Sequence, residues 1–185
     1  MSAYLVLLLA VLSRILPHAF HTTSVNFTAV GGGLLYFGAR RPRWQAIFAM
    51  LAMMLTDVYL TTVAYGLAFH VRGYLVTWLW YGAVCLMGGA MLGQRRATAL
   101  RVVGAVAASA TSFFVLSNFV VWAGSGMYPH SLTGLGMCYV AAIPFYANDV
   151  MSTGVTAGAL FGLPVLARSI AESIRRAPGG QFPLG

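Results

Sequence analysis

The sequence predicts an all-α integral membrane protein, built as a single six-helix bundle with irregular outer loops. Of its 185 residues, 59% are hydrophobic and only 8% are charged, whereas a soluble domain carries about 25% charged residues. The mean hydropathy is +0.81, and apolar runs recur along the chain. These numbers exclude a water-soluble globule. We expect residues 1–176 to form one six-span transmembrane domain and residues 177–185 to form a short cytoplasmic tail.

The first three spans are indicated by apolar runs and their breaks. Span one covers about residues 3–16 and ends before Pro17, because proline disfavours helical conformation in the preceding residue. Span two covers only about residues 29–39, and a segment this short is expected to be shielded by neighbouring helices rather than by lipid. Span three covers about residues 44–59 and carries Asp57 near its end.

The second half of the chain predicts three more spans, at about residues 74–93, 100–123 and 150–170. The connection over residues 124–146 is long and partly apolar, and we expect it to contain a half-buried helix over 135–143. Small residues recur every four positions in span six, at Gly154, Gly158 and Gly162. Such spacing lets helices approach closely, and packing inside the monomer is favoured over a dimer face.

The arginines predict the orientation of the chain. All eleven basic residues are arginine, in short clusters between apolar runs, a pattern that favours a membrane over a nucleic-acid partner. With six spans and a cytoplasmic N-terminus, only Arg14 and Arg72 lie near the outer face. The cytoplasmic side then holds Arg40, Arg41, Arg43, Arg95, Arg96, Arg101, Arg175 and Arg176. We therefore expect a multi-pass protein of the bacterial inner membrane with both termini in the cytoplasm.

This orientation gathers polar and aromatic residues at the outer face, where they would line a cup that captures a ligand. Aromatic faces with a few polar groups are typical of a mostly apolar ligand pocket. The predicted substrate-binding residues are His18, Asn26, Asp57, Asn118, Trp122, Tyr128, His130 and Asn148.

Each of these residues also has a purely structural interpretation. A carboxylate inside a span costs at least about 2.5 kcal/mol, so Asp57 would contact ligand, couple an ion, pair internally with Arg14, or combine these roles. His18 and His130 each follow a proline, as in a turn that starts a helix. Trp122 would also serve as an interface anchor. Asn148 and the residue after it would cap the start of span six.

Enzymatic and metal chemistry have little support in the sequence. Cys85 and Cys138 lie in apolar surroundings, and no Cys/His spacing indicates a metal site. A phosphate-binding loop, a nucleophile elbow, paired carboxylates and an HExxH motif are all missing. We predict no enzymatic activity, no cofactor and no metal site.

Several motifs resemble those of a bacterial family of small membrane proteins of unknown function. That family is described as transport proteins and is related to the substrate-binding S-components of energy-coupling-factor vitamin transporters. The motifs are RILPH at 14–18, NFTAVG at 26–31, Thr56-Asp57, Asn118-Phe119 with Trp122, GMYPHSLTG at 126–134 and CYVAAIPF at 138–145. The resemblance implies an S-component-like six-helix fold.

The resemblance also implies a function, namely capture of a small vitamin-, cofactor- or metal-like solute from outside. The sequence contains no nucleotide site, so an ATP-driven step would require an energising membrane partner with ATPases. The alternative is an accessory structural subunit of a larger respiratory or photosynthetic membrane complex, in contact with pigment or haem. In both cases the lipid bilayer surrounds the chain, and nucleic acid is not a partner.

Overall fold

All regular structure in the computed structural model is helical, over the residues that it describes, 2–19, 27–93 and 97–176. A 3₁₀ turn, Arg43–Gln45, precedes α3, and a π-helical turn, Leu60–Ala64, follows it. The predicted tail at 177–185 lies outside the described residues. The six α-helices are α1 Ser2–Ala19, α2 Val30–Arg40, α3 Ala46–Tyr59, α4 Val71–Leu92, α5 Ala99–Gly124 and α6 Leu132–Arg176.

Four helical stretches are long and apolar enough to cross a bilayer, which indicates a membrane protein. They are Arg43–Ala64, Val71–Leu92, Ala99–Gly124 and Leu132–Arg175, and α1 is a shorter apolar helix. Large apolar side chains lie exposed on their outer faces, for example Leu55 at 71% and Leu79 at 70%. Such faces are typical of helices that contact lipid, because a soluble protein rarely exposes large contiguous apolar surfaces.

The shortest helix, α2, lies at the centre of the bundle. It packs against α1, α4 and α6, and Leu34, Leu35 and Phe37 have no exposed surface at all. A helix of 11 residues is too short to span a bilayer alone, at about 1.5 Å per residue. The prediction that neighbouring helices shield this segment is therefore confirmed.

Glycines allow α2 to approach α4 backbone to backbone. A Cβ atom on Gly38 would overlap the carbonyl oxygen of Cys85, and a Cβ atom on Gly88 would overlap the carbonyl oxygen of Leu35. Each helix therefore contributes a glycine at the point where the other presents a carbonyl group. Any side chain at these two positions would force the helices apart.

Glycine is also required where α2 packs against α1 and α6. A Cβ atom on Gly33 would lie 3.0 Å from the Cβ atom of Ala10 in α1. On the α6 side, a Cβ atom on Gly32 would lie 2.8 Å from the backbone nitrogen of Ala157. The Gly31-Gly32-Gly33 run is thus a packing feature shared by three helices.

Two ends of the bundle can be distinguished by their side chains. At one end, the Tyr4 hydroxyl donates to Gln45 Oε1 at 2.9 Å, and Arg41 Nε donates to the same oxygen at 2.6 Å. This arginine-rich end contains the starts of α1, α3 and α5 and the ends of α2 and α4. The opposite end, called the histidine end, carries His18, His70 and His130.

The predicted break before span six is wrong, because α6 is one continuous helix of 45 residues. At about 1.5 Å per residue it is about 67 Å long, and it contains Pro144 and Pro164. Its first turns are held against α5, where the Tyr139 hydroxyl donates to the carbonyl of Val115 at 2.8 Å. The connection between α5 and α6 is therefore only residues 125–131, shorter than predicted. Asn148 consequently lies in mid-helix and does not cap a helix start.

The predicted packing role of the span-six glycines is also wrong. A Cβ atom on Gly158 or Gly162 would meet no atom within 4 Å, and one on Gly154 would meet only Val106 Cγ1 at 3.9 Å. These glycines face a groove beside α5, whereas the close helix contacts depend on the glycines of α2 and α4.

The α2–α4 contact predicts that Gly38→Ala destabilises the protein by about 1–3 kcal/mol, the usual range for overpacking. The added methyl group has no room beside the Cys85 carbonyl. Thermal unfolding in detergent measures the effect. Gly136→Ala is the matched control, since Gly136 also lies in a helix but has no atom near its Cβ position. Equal melting temperatures for the two variants would contradict the packing argument.

Candidate functional site

A buried ion pair lies between α1 and α3. Arg14 Nη2 is 2.5 Å from Asp57 Oδ1, and the side chains are 20% and 2% exposed. Arg14 Nη1 donates to the Tyr81 hydroxyl at 3.0 Å, and Trp78 Nε1 donates to Asp57 Oδ2 at 3.0 Å. We call these four residues the charge cluster. The predicted internal pairing of Asp57 with Arg14 is confirmed.

Helix geometry explains how these four side chains meet. Helices α1 and α3 both start at the arginine-rich end, so Arg14 and Asp57, each near the far end of its helix, reach a similar depth. Trp78 and Tyr81 are three residues apart on α4 and therefore share one face. Each oxygen of the Asp57 carboxylate accepts a hydrogen bond, which offsets the free-energy cost of removing its charge from water.

The backbone changes pitch directly after Asp57. In the π-helical turn Leu60–Ala64, the Tyr65 amide donates to the Leu60 carbonyl at 2.9 Å, five residues back. The Thr61 side chain within this turn is hydrogen-bonded to the Tyr74 hydroxyl at 2.6 Å. Single π turns occur frequently at functional sites. This one links the end of α3 to the aromatic start of α4.

Three aromatic rings form a stack that leads to the carboxylate. Ring centroids of Phe69 and Tyr74 are 5.0 Å apart with planes at 14°, and those of Tyr74 and Trp78 are 5.9 Å apart with planes at 25°. Phe69 and Tyr74 are half-buried, whereas Trp78 is buried and donates to Asp57. The aromatic stack therefore runs from a partly exposed edge to the charge cluster.

Sequence reasoning missed Phe69, Tyr74, Trp78 and Tyr81. A signal for three of them was present, because Tyr74, Trp78 and Tyr81 recur at intervals of four and three residues and so occupy one helix face. Their proximity to Asp57 could not be deduced without knowing how α3 and α4 pack. His18 contacts Tyr65, the residue after the π-helical turn, with the two ring centroids 5.3 Å apart.

A second group of predicted residues lies at the α5–α6 connection. Trp122 Nε1 donates to the Pro129 carbonyl at 2.9 Å, and the Trp122 and His130 rings are 5.6 Å apart at an angle of 71°. His130 is exposed and Tyr128 is half-buried. These contacts hold the connection against the last turn of α5.

Asn118 lines a separate cavity of about 140 Å³ between α5 and α6. Asp149 lines the same cavity and accepts a hydrogen bond from Thr153 at 3.4 Å. Asn118 Nδ2 donates to the Phe114 carbonyl at 2.7 Å in its own helix. The cavity combines an amide and a carboxylate with aromatic walls.

The described contacts of the predicted site residues fall into groups, and whether these residues line one cup stays a prediction. Asp57 and His18 lie with α1, α3 and α4, whereas the described contacts of Trp122, His130 and Asn118 are with α5, α6 and their connection. Asn26 lies outside the described residues. Within 2–19, 27–93 and 97–176, no group of three or more His, Cys, Asp or Glu side chains is arranged to hold a metal ion.

Comparison with known proteins identifies a family but no close relative of known function. A family model described as a family of unknown function (DUF6580) matches residues 1–174. Comparisons with curated proteins and with solved structures find no match.

The ion pair predicts non-additive effects on stability. Asp57→Asn leaves the Arg14 guanidinium without its counter-charge and should cost about 3–5 kcal/mol, the usual loss when one partner of a buried pair is removed. The double variant Arg14→Met/Asp57→Leu removes both charges and should recover most of that loss. Unfolding of Arg14→Met, Asp57→Leu and the double variant in detergent completes the double-mutant cycle.

Asp149→Asn is the matched control, because Asp149 also lies in an apolar helix but its described hydrogen bond is to Thr153. A destabilisation by Asp149→Asn as large as that by Asp57→Asn would contradict the assigned role of the ion pair.

Proposed function

The chain belongs to DUF6580, and we propose that it captures a small vitamin- or cofactor-like solute at the histidine end and transports it across the membrane. The observation that supports this most is the buried Arg14–Asp57 pair beside the aromatic stack. Charged side chains inside transmembrane bundles are rare and usually mark a path for a substrate or an ion.

Stability alone is a weak reason to keep such a pair. Well-packed hydrophobic residues of similar volume are often as stabilising as a buried ion pair. A bundle that serves only as a scaffold would be expected to fill this position with apolar side chains. The π-helical turn immediately after Asp57 adds a second departure from regular packing at the same place.

The aromatic stack suggests the chemical class of the solute. The Phe69 and Tyr74 rings are nearly parallel, at 14°, and both are partly accessible. A flat conjugated ring would extend this stack by the offset packing that aromatic groups prefer. Arg14 retains 20% exposure, so its guanidinium would interact with an acidic group on such a solute.

The distribution of charge supports an outward-facing site. Loops rich in arginine remain in the cytoplasm, so the arginine-rich end would face inward and the histidine end outward in a bacterial inner membrane. The resemblance to S-components supports the same direction of capture. The sequence has no nucleotide-binding motif, so active uptake would require an energising membrane partner that carries ATPases.

Ligand binding is tested on purified protein with a panel of ring-bearing acidic solutes, after mass spectrometry of small molecules that co-purify. A binding solute should raise the melting temperature of the wild type. Phe69→Leu conserves apolar volume but removes a stacked ring, and it should weaken binding about two- to tenfold, since an aromatic pair contributes about 0.5–1.5 kcal/mol. Trp44→Leu, an exposed aromatic residue at the arginine-rich end, is the control and should bind normally.

Two results would overturn this proposal. One is a wild-type protein that carries nothing and responds to no solute in the panel. The other is co-purification in a stable complex with visible pigment or haem absorbance, which would support the accessory-subunit alternative.

Orientation is tested with single cysteines and a membrane-impermeant maleimide. Cys85 and Cys138 are buried, so background labelling should be low. Met127→Cys, 75% exposed in the wild type, should be labelled in intact cells, whereas Trp44→Cys should be labelled only after permeabilisation. The reverse pattern would place the charge cluster on the cytoplasmic side and exclude capture from outside.

A further inference from the structure

The cavity between α5 and α6 contains a carboxylate that the proposed solute site does not use. The cavity has a volume of about 140 Å³ and is lined by Asn118 and Asp149. Asn118 lies about two helical turns before Gly124, the last residue of α5, at the histidine end. An apolar cavity of about 150 Å³ in another protein holds one benzene molecule. This cavity therefore has room for a small organic ligand.

The Asp149 carboxylate has no basic partner within the described ranges 2–19, 27–93 and 97–176. Its Oδ1 accepts one long hydrogen bond from Thr153, at 3.4 Å, and no described residue donates to Oδ2. Asp57, by contrast, has a donor on each oxygen and receives its counter-charge from Arg14. An ionised carboxylate in an apolar helix is costly unless it is paired, so a cation from outside the chain would supply the missing charge.

The walls of the cavity favour an organic cation. A positive charge over the face of an aromatic ring is attracted by the ring quadrupole, and groups of such rings bind quaternary ammonium ions. Four aromatic residues line the cavity together with the carboxylate, namely Phe113, Phe114, Phe145 and Tyr146.

Neighbouring side chains hold three of these rings in place. The ring centroids of Phe113 and Trp80 are 4.6 Å apart, and those of Phe114 and Tyr146 are 4.8 Å apart at an angle of 41°. The Tyr146 hydroxyl is hydrogen-bonded to Thr111 at 2.9 Å. Because these contacts fix the rings before a ligand enters, binding would cost little ordering of the protein.

The polar lining has too few oxygen atoms for a hard divalent metal ion. It consists of Ser117, Asn118 and Asp149, whereas Ca²⁺ and Mg²⁺ take about six or more oxygen ligands. Asn118 Nδ2 donates to the Phe114 carbonyl at 2.7 Å, and no described residue donates to its amide oxygen. This oxygen would add a second negative dipole beside the carboxylate.

We propose that this cavity binds a small organic ammonium ion, with Asp149 as its counter-charge and the aromatic rings around its alkyl groups. Its position near the end of α5 allows a ligand to enter from the water at the histidine end. The site is distinct from the charge cluster, where Arg14 would attract an acidic group. Each proposal can therefore fail without the other.

Tetramethylammonium is the probe, because it carries a permanent charge and its size suits the cavity. Full-length protein in detergent is titrated by calorimetry and by its melting temperature. A ligand that binds only the folded state stabilises it by mass action, so tetramethylammonium chloride should raise the melting temperature. Equal concentrations of sodium chloride and of tert-butanol, an uncharged molecule of similar shape, should not.

Asp149→Asn keeps the shape of the side chain but removes its charge. It should weaken tetramethylammonium binding at least about tenfold, because the Coulomb attraction between adjacent charges is strong away from bulk water. Glu172→Gln is the matched control and should bind normally. Glu172 is an exposed acid on the same helix and does not line the cavity.

Phe114→Leu tests the aromatic part of the site. The loss of one ring face should weaken tetramethylammonium binding about two- to thirtyfold, the range of a cation–π contact. Phe119→Leu is the matched control, because Phe119 lies on the same helix, is 50% exposed and does not line the cavity.

Four outcomes would overturn the proposal. Tetramethylammonium that does not bind the wild type would remove the site altogether. Equal stabilisation by tert-butanol would indicate a merely apolar cavity, and equal stabilisation by sodium chloride would indicate an effect of salt or of an inorganic cation. Unchanged binding in Asp149→Asn would place the ammonium ion elsewhere on the protein.

Discussion

The backbone contact between α2 and α4 is the constraint on which the rest of the structure depends. Gly38 faces the Cys85 carbonyl, and Gly88 faces the Leu35 carbonyl, so neither helix can carry a side chain there. This contact lets a helix of 11 residues lie largely buried at the centre of the bundle. Because a helix of this length cannot span a bilayer alone, α1, α4 and α6 surround it.

The charge cluster is a consequence of that arrangement. Packing α1 and α4 around the same short helix brings the Arg14 guanidinium within 3.0 Å of the Tyr81 hydroxyl. The Asp57 carboxylate then completes a set in which each charged group has polar partners. Such a set is costly to assemble inside apolar helices, and its position next to a π-helical turn and an aromatic stack makes it the centre of the proposed solute site.

Small residues have two different roles in this protein. In α2 and α4, glycines lie where the backbone of a neighbouring helix packs closely. In the later part of α6, Gly158 and Gly162 leave space that no described helix occupies. Glycine therefore corresponds to a tight interface in one place and to an open groove in another.

The sequence by itself determined the membrane class, the burial of the short second helix and the pairing of Asp57 with Arg14. These follow from hydropathy, from helix length and from the cost of an unpaired charge. The continuity of α6 through Pro144, the contacts of Asn118 and Trp122 with α5, α6 and their connection, and the roles of Trp78 and Tyr81 were decided by tertiary structure. The conformational preferences of single residues such as proline and glycine contribute only a few kcal/mol at most. Contacts between helices that are distant in sequence therefore determine the outcome.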